Sequence, residues 1–208
     1  MSNFFLNFKD DFLNHIRKSK FIFIGLIICF FIGLILGIFG VYSGVSFNSI
    51  LNPSDKQMFD FIAGTSSGVS IFFDKLLEFF LIFLVIFIFN LSYPSSFLSY
   101  AFVGYQSFLL VLTCSVIINL YNFVGILNVI IFILPVNICF FLLLFFVISV
   151  AQIRAYEAKK YNLPFKESFR FAKFFNKYFL CFSIAIVICL IHSFIIPLLL
   201  KSFILFAY

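Results

Sequence analysis

"FIFIGLIICFFIGLILGIFGVYSG", residues 21 to 44, is a run of twenty-four residues without a single charge. A hydrocarbon core of ~30 Å needs about twenty apolar residues in one helix, so this stretch reads as a transmembrane helix. Lys9, Arg17, Lys18 and Lys20 precede it. The run is too long, and too poor in a small-residue cleavage site, to be a removable signal peptide.

The rest of the chain repeats the pattern. Hydrophobic residues make up 64% of the 208 and charged ones 11%, with thirty-eight Phe and no Trp; the mean hydropathy is +1.20. These values lie outside the soluble globular range. Further apolar runs cover about 76 to 93, 98 to 120, 126 to 152 and 178 to 200. The second is entered through "FFDKLLEFF" and stops at "SYPSS", where Pro94 and the serines make a turn. The third carries Gly104, Gln106 and Thr113 and reads as bundle interior, "YNFVG" (121 to 125) turns the chain, and the fourth is interrupted by Pro135. The fifth holds Pro197 near its end. Irregular backbone cannot face lipid, so the expectation is an all-α, polytopic helical membrane protein of about five spans, a single domain over 1 to 208. Two amphipathic segments, 1 to 20 and 154 to 177, complete it.

Charge sets the expected orientation, since Lys and Arg near membrane ends stay cytoplasmic. Eleven of the fourteen basic residues fall on the side of the N-terminus and three (Lys56, Lys75, Lys201) on the other, while the eight acids divide evenly. The N-terminus is therefore expected inside and the C-terminus outside, in a multi-pass cell-membrane protein. Half of the cations sit in "RAYEAKKYNLPFKESFRFAKFFNK", 154 to 177. Lys166, Arg170, Lys173 and Lys177 are spaced i, i+4, i+7 and i+11, one narrow stripe on a helix, with Phe over the rest of the circumference and Pro164 at the start. This reads as an interfacial helix on the inner leaflet, binding anionic lipid at ~1 kcal/mol per cation. A protein-docking face is the second reading. The net charge of +6 is accounted for by topology, so nucleic-acid binding is not expected. "FFLNFKDDFLNHIRK" (4 to 18) repeats the design with Phe5, Phe8, Phe12 and Ile16.

Catalytic and metal chemistry find little footing. Cys29, Cys114, Cys139, Cys181 and Cys189 lie singly in apolar runs and behave as small hydrophobes; neither a disulfide, a metal site nor a cofactor is expected. His15 and His192 fall on opposite sides. "GTSSG" (64 to 68) matches G-x-S-x-G but follows no strand, so it reads as a linker. Asp74, Lys75 and Glu78 read as a self-compensating cluster at the outer mouth of the second span, and Asn90, Gln106, Asn137 and His192 as interhelical hydrogen-bonding groups at ~0.6 kcal/mol apiece. Gly25, Gly33, Gly37 and Gly40 in the first run could form a close-packing face, within the chain or between two copies.

The order "FFDKLLEFFLIFLVIFIFNLS", "FVGYQSFLLV", "NFVGILNVIIFILPVNI", a basic loop and "IHSFIIP" resembles the stage II sporulation protein M family, loosely from about 20 to 200. Asn90, Gly104, Gly125, Pro135 and Pro197 match by position. The polar pattern that follows the proline in relatives is reduced to Val136 and Asn137, and His192 replaces the acidic residue of the last motif. The resemblance implies a non-enzymatic membrane scaffold that recruits or positions cell-wall-remodelling partners. Two other classes stand beside it. A transporter or permease subunit would use helices broken at Pro135 and Pro197, although prolines also simply kink helices; a membrane enzyme would need Ser66 or Ser67 to meet His192.

Overall fold

A computed structural model describes residues 19–43, 67–92, 94–162 and 174–207. Among them there are helices and turns and no strand. The helices are α1 (Lys20–Tyr42), α2 (Gly68–Phe89), α3 (Leu98–Asn128), α4 (Leu134–Lys160), α5 (Phe174–Leu190) and α6 (Ile196–Ala207). A 3-10 turn, Pro94–Phe97, links α2 to α3. Two π-turns, Val129–Ile133 and Ile191–Ile195, join α3 to α4 and α5 to α6. Four stretches, Lys20–Tyr42, Pro94–Asn119, Gly125–Lys160 and Asn176–Leu199, are long and apolar enough to cross a membrane. The chain is an all-α helical membrane protein. At 22 residues α2 is nearly as long as the shortest of these stretches, 23 residues, but Asp74, Lys75 and Glu78 set it apart.

Why each helix lies where it does follows from its small and apolar positions. Along α1, Leu26, Gly33 and Gly37 are buried while Phe31, Ile35 and Phe39 stand exposed, which splits the helix into a packing stripe and an apolar face suited to lipid. The stripe meets α3 at close range: a Cβ on Gly33 would collide with Ser107 Oγ and the carbonyl oxygen of Gly104. Only small residues allow two backbones to approach so closely in a membrane bundle. The glycine series of the first run therefore packs inside the chain. Helix α4 supplies the middle of the bundle, with Phe140, Leu144, Val147, Ile148 and Ala151 all buried. Aromatic edges lock it to its neighbours: Phe30 meets Phe141 edge-on at 4.7 Å, and Phe79 stacks on Phe140 at 4.5 Å.

The turn expected at 121 to 125 is present as a break inside α3, where Asn122 takes φ 49° and ψ −125°. Asn tolerates positive φ better than most residues. The returning chain passes so close that a Cβ on Gly125 would lie 2.5 Å from the Ile117 carbonyl oxygen. At the other end of α4 the helix runs to Lys160 and stops with Tyr161 as C-cap and Asn162 at φ 48°, a left-handed terminator, two residues before Pro164. Residues 154 to 160, read from sequence as the start of a loop, thus belong to α4. Arg154 is accordingly buried in the bundle. The remaining basic stripe, Lys166, Arg170 and Lys173, lies outside the described residues, as do the N-terminal amphipathic segment, His15 and Ser66. Lys177 is on the first turn of α5, partly buried.

Candidate functional site

Helix α2 starts at Gly68 with Ser67 as N-cap, its side chain accepting from the Ser70 N–H at 3.3 Å. That start lies about two turns earlier than the apolar run beginning at 76, and it moves the charges inward. At ~1.5 Å per residue, Lys75 sits ~10 Å and Glu78 ~15 Å along the helix. They are a mid-helix ion pair, not a cluster at its mouth. Lys75 Nζ lies 3.1 Å from Glu78 Oε2, with side chains only 9% and 17% exposed. The ammonium also stands 5.5 Å from the centre of the Phe79 ring, a cation–π contact.

This pair forms one wall of a partly open polar cavity of about 30 Å³. Gln106 and Thr113 come from α3, Asn137 from α4 and His192 from the second π-turn, with Ile133 and Phe140 closing the floor. His192 is 7% exposed, and its Nδ1 has no hydrogen-bond partner; neither has the buried Oγ of Ser193. Asn137 Nδ2 donates to the Ile133 carbonyl at 2.9 Å, which ties the first π-turn to α4.

The two π-turns place these groups, and the sequence around them is nearly repeated: Phe132-Ile133-Leu134-Pro135 and Phe194-Ile195-Ile196-Pro197. In each, proline is the second residue of the following helix. Proline has no N–H and clashes with the carbonyl four residues back, here that of Ile131 and of Ser193. A π-turn takes up this mismatch by widening the helix one residue's worth. Both wide turns sit against α6 or α2, and the side chains beside them, Asn137 and His192, line the same cavity. Of the motif positions singled out in the sequence, Asn137 and His192 come together here, joined by Gln106.

Asn90 belongs to a second buried cluster at the far end of α2. Its Nδ2 donates to the Ile86 carbonyl and to Ser99 Oγ, each at 2.8 Å. Arg154 Nη2 donates to the carbonyls of Asn90 and Leu91, holding the C-terminus of α2, where a cation is favoured by the helix dipole. Gln152 Nε2 donates to the Ser96 carbonyl and Gln152 Oε1 accepts from Tyr100 OH, both at 3.0 Å. These bonds fasten α4 to the α2–α3 turn. Sequence alone does not reveal Arg154 and Gln152 as partners of that turn, because they lie 56 to 64 residues from the groups they bond there.

The remaining motif positions are joints of the fold. Gly104 underlies the α1–α3 contact, Gly125 the return after Asn122, and Pro135 and Pro197 the two π-turns. Ser67 serves as a helix cap, and the five cysteines are free thiols. Among the described residues no three His, Cys, Asp or Glu side chains gather in one place. No family model, curated protein or solved structure matches the chain.

Proposed function

We propose that the chain is a multi-pass, non-enzymatic membrane protein that works as the membrane subunit of a transporter or permease complex. Its N-terminus lies inside and its C-terminus outside. The observation that carries this reading is the buried Lys75–Glu78 pair facing His192, Gln106, Thr113 and Asn137 across a cavity. Charged side chains inside a membrane bundle are costly, by ~2.5–3.5 kcal/mol each at a helix centre, and mark substrate or ion paths. Paired broken helices in corresponding positions border such sites in transporters. In this reading Lys166, Arg170, Lys173 and Lys177 hold the loop before α5 to anionic inner-leaflet lipid.

A second reading, a scaffold similar to stage II sporulation protein M that positions envelope partners, draws support from the residues behind the resemblance. Asn90, Gly104, Gly125, Pro135 and Pro197 all act at joints of the bundle, where a shared architecture would retain them. Photocrosslinking in cells separates the two, from Phe169 and Phe175 on one side and Thr65 on the other, with mass spectrometry of what is captured. A transport ATPase or other permease subunit supports the first reading. Wall hydrolases or division proteins at the Thr65 probe replace it with the second, and capture of lipid alone by both probes removes both.

A further inference from the structure

The cavity beside Lys75 and Glu78 is specific enough to name its occupant. Its two charges are paired with each other at 3.1 Å, so the site at rest is neutral without a bound ion. Its volume of about 30 Å³ exceeds the ~10–15 Å³ that one water requires and falls far short of an organic solute. Its lining offers polar groups from four separate elements: Lys75 and Glu78, Gln106 and Thr113, Asn137, and His192. One of them, His192 Nδ1, is buried with no protein partner, and leaving such a group unsatisfied costs about 1–3 kcal/mol. A water molecule in the cavity would supply the missing hydrogen bond.

We propose that this cavity is a hydrated proton-binding site, in which one or two water molecules join His192 Nδ1 to the Lys75–Glu78 pair. This rests on the site's being functional, as in the transport reading, but not on the identity of any partner. The titratable groups around it are Lys75 and Glu78 from α2, His192 from the π-turn and the buried Cys189 thiol one turn earlier on α5; α3 and α4 contribute uncharged amides and a hydroxyl. A proton arrives as hydronium. An O–H bond of hydronium breaks as an N–H bond forms at Nδ1, leaving neutral water and an imidazolium that shares the Glu78 carboxylate with the Lys75 ammonium, so that the occupied site carries one net positive charge. Release reverses the step: the N–H bond breaks and a second water becomes hydronium. Gln106, Thr113 and Asn137 orient the water without exchanging charge.

The test uses the full-length chain in lipid nanodiscs, labelled with ¹⁵N-histidine. The chain has two histidines, so an H15Q sample assigns the His192 ring. The expected result is magnetisation transfer from water to the His192 ring. In liposomes carrying a trapped pH dye, a potassium diffusion potential is expected to drive proton uptake that falls at least tenfold in His192→Phe and is unchanged in Ser202→Ala. A ring without water contact in the native chain overturns the proposal and needs no variant to fold. A hydrated ring with equal uptake in native protein and His192→Phe also overturns it. A chain that captures a permease subunit in cells yet has a dry ring loses this inference and keeps the transport reading.

Discussion

Glu78 and Lys75 behave as one unit, and removing either half exposes what the other costs. Glu78→Gln leaves a buried ammonium without its counter-charge, and breaking a buried pair in this way is expected to destabilise by about 3–5 kcal/mol. Replacing both at once, Lys75→Met with Glu78→Leu, should return stability close to that of the native protein. Thermal unfolding of the purified chain in nanodiscs distinguishes these cases; equal losses in the single and double variants would mean that the pair is not coupled. Gly33 is the second sensitive point. A methyl group there meets Ser107 and the Gly104 backbone, so Gly33→Ala is expected to cost ~1–3 kcal/mol through overpacking. Gly40→Ala meets only the edge of the Phe108 ring at 3.2 Å and should be nearly silent. If both melt alike, the close approach of α1 and α3 is not what holds them.

At the scale of elements, the two π-turns decide which side chains face the cavity. Pro197 withholds the N–H that the Ser193 carbonyl would otherwise accept. Pro197→Ala supplies it and lets the Ile191–Ile195 turn tighten into α-helix. One residue's worth of winding is ~100°, enough to carry His192 off the cavity. The expected result is a variant at least as stable as the native protein that has lost water contact at the His192 ring. Retained contact would show that packing against α2, not the proline, sets the turn. The prolines themselves were legible in the sequence as breaks. Their conversion into wide turns, and the convergence of Asn137 and His192 on one cavity, were not, because a missing donor says where a helix is disturbed and not how neighbouring helices absorb the disturbance.

For the whole molecule, in the proposed multi-pass topology with each of the four long apolar stretches as a crossing, α2 determines the parity. Without α2 as a span both chain ends fall on one side; with it, five crossings put them on opposite sides. At 22 residues, ~33 Å at the usual rise, α2 is long enough, and its Lys75–Glu78 pair is largely withdrawn into the bundle. Reporter fusions are accordingly expected to place the N-terminus in the cytoplasm and the C-terminus outside, and a C-terminal reporter found inside would take α2 out of the membrane.

Composition and run length, by themselves, determined that this chain is a helical membrane protein, since the cost of burying unpaired backbone in lipid admits helix wherever twenty apolar residues follow one another. Local rules also located the Asn122 turn and the packing glycines. Only the tertiary structure decided that Lys75 and Glu78 lie within the bundle, that His192 and Asn137 share their cavity, and that Arg154 belongs to a helix and grips the end of α2. Those outcomes depend on which helix packs against which, and in a chain so uniformly apolar almost any pairing satisfies the hydrophobic pattern. The choice falls to a few small residues and buried polar bonds whose partners lie far apart in the chain.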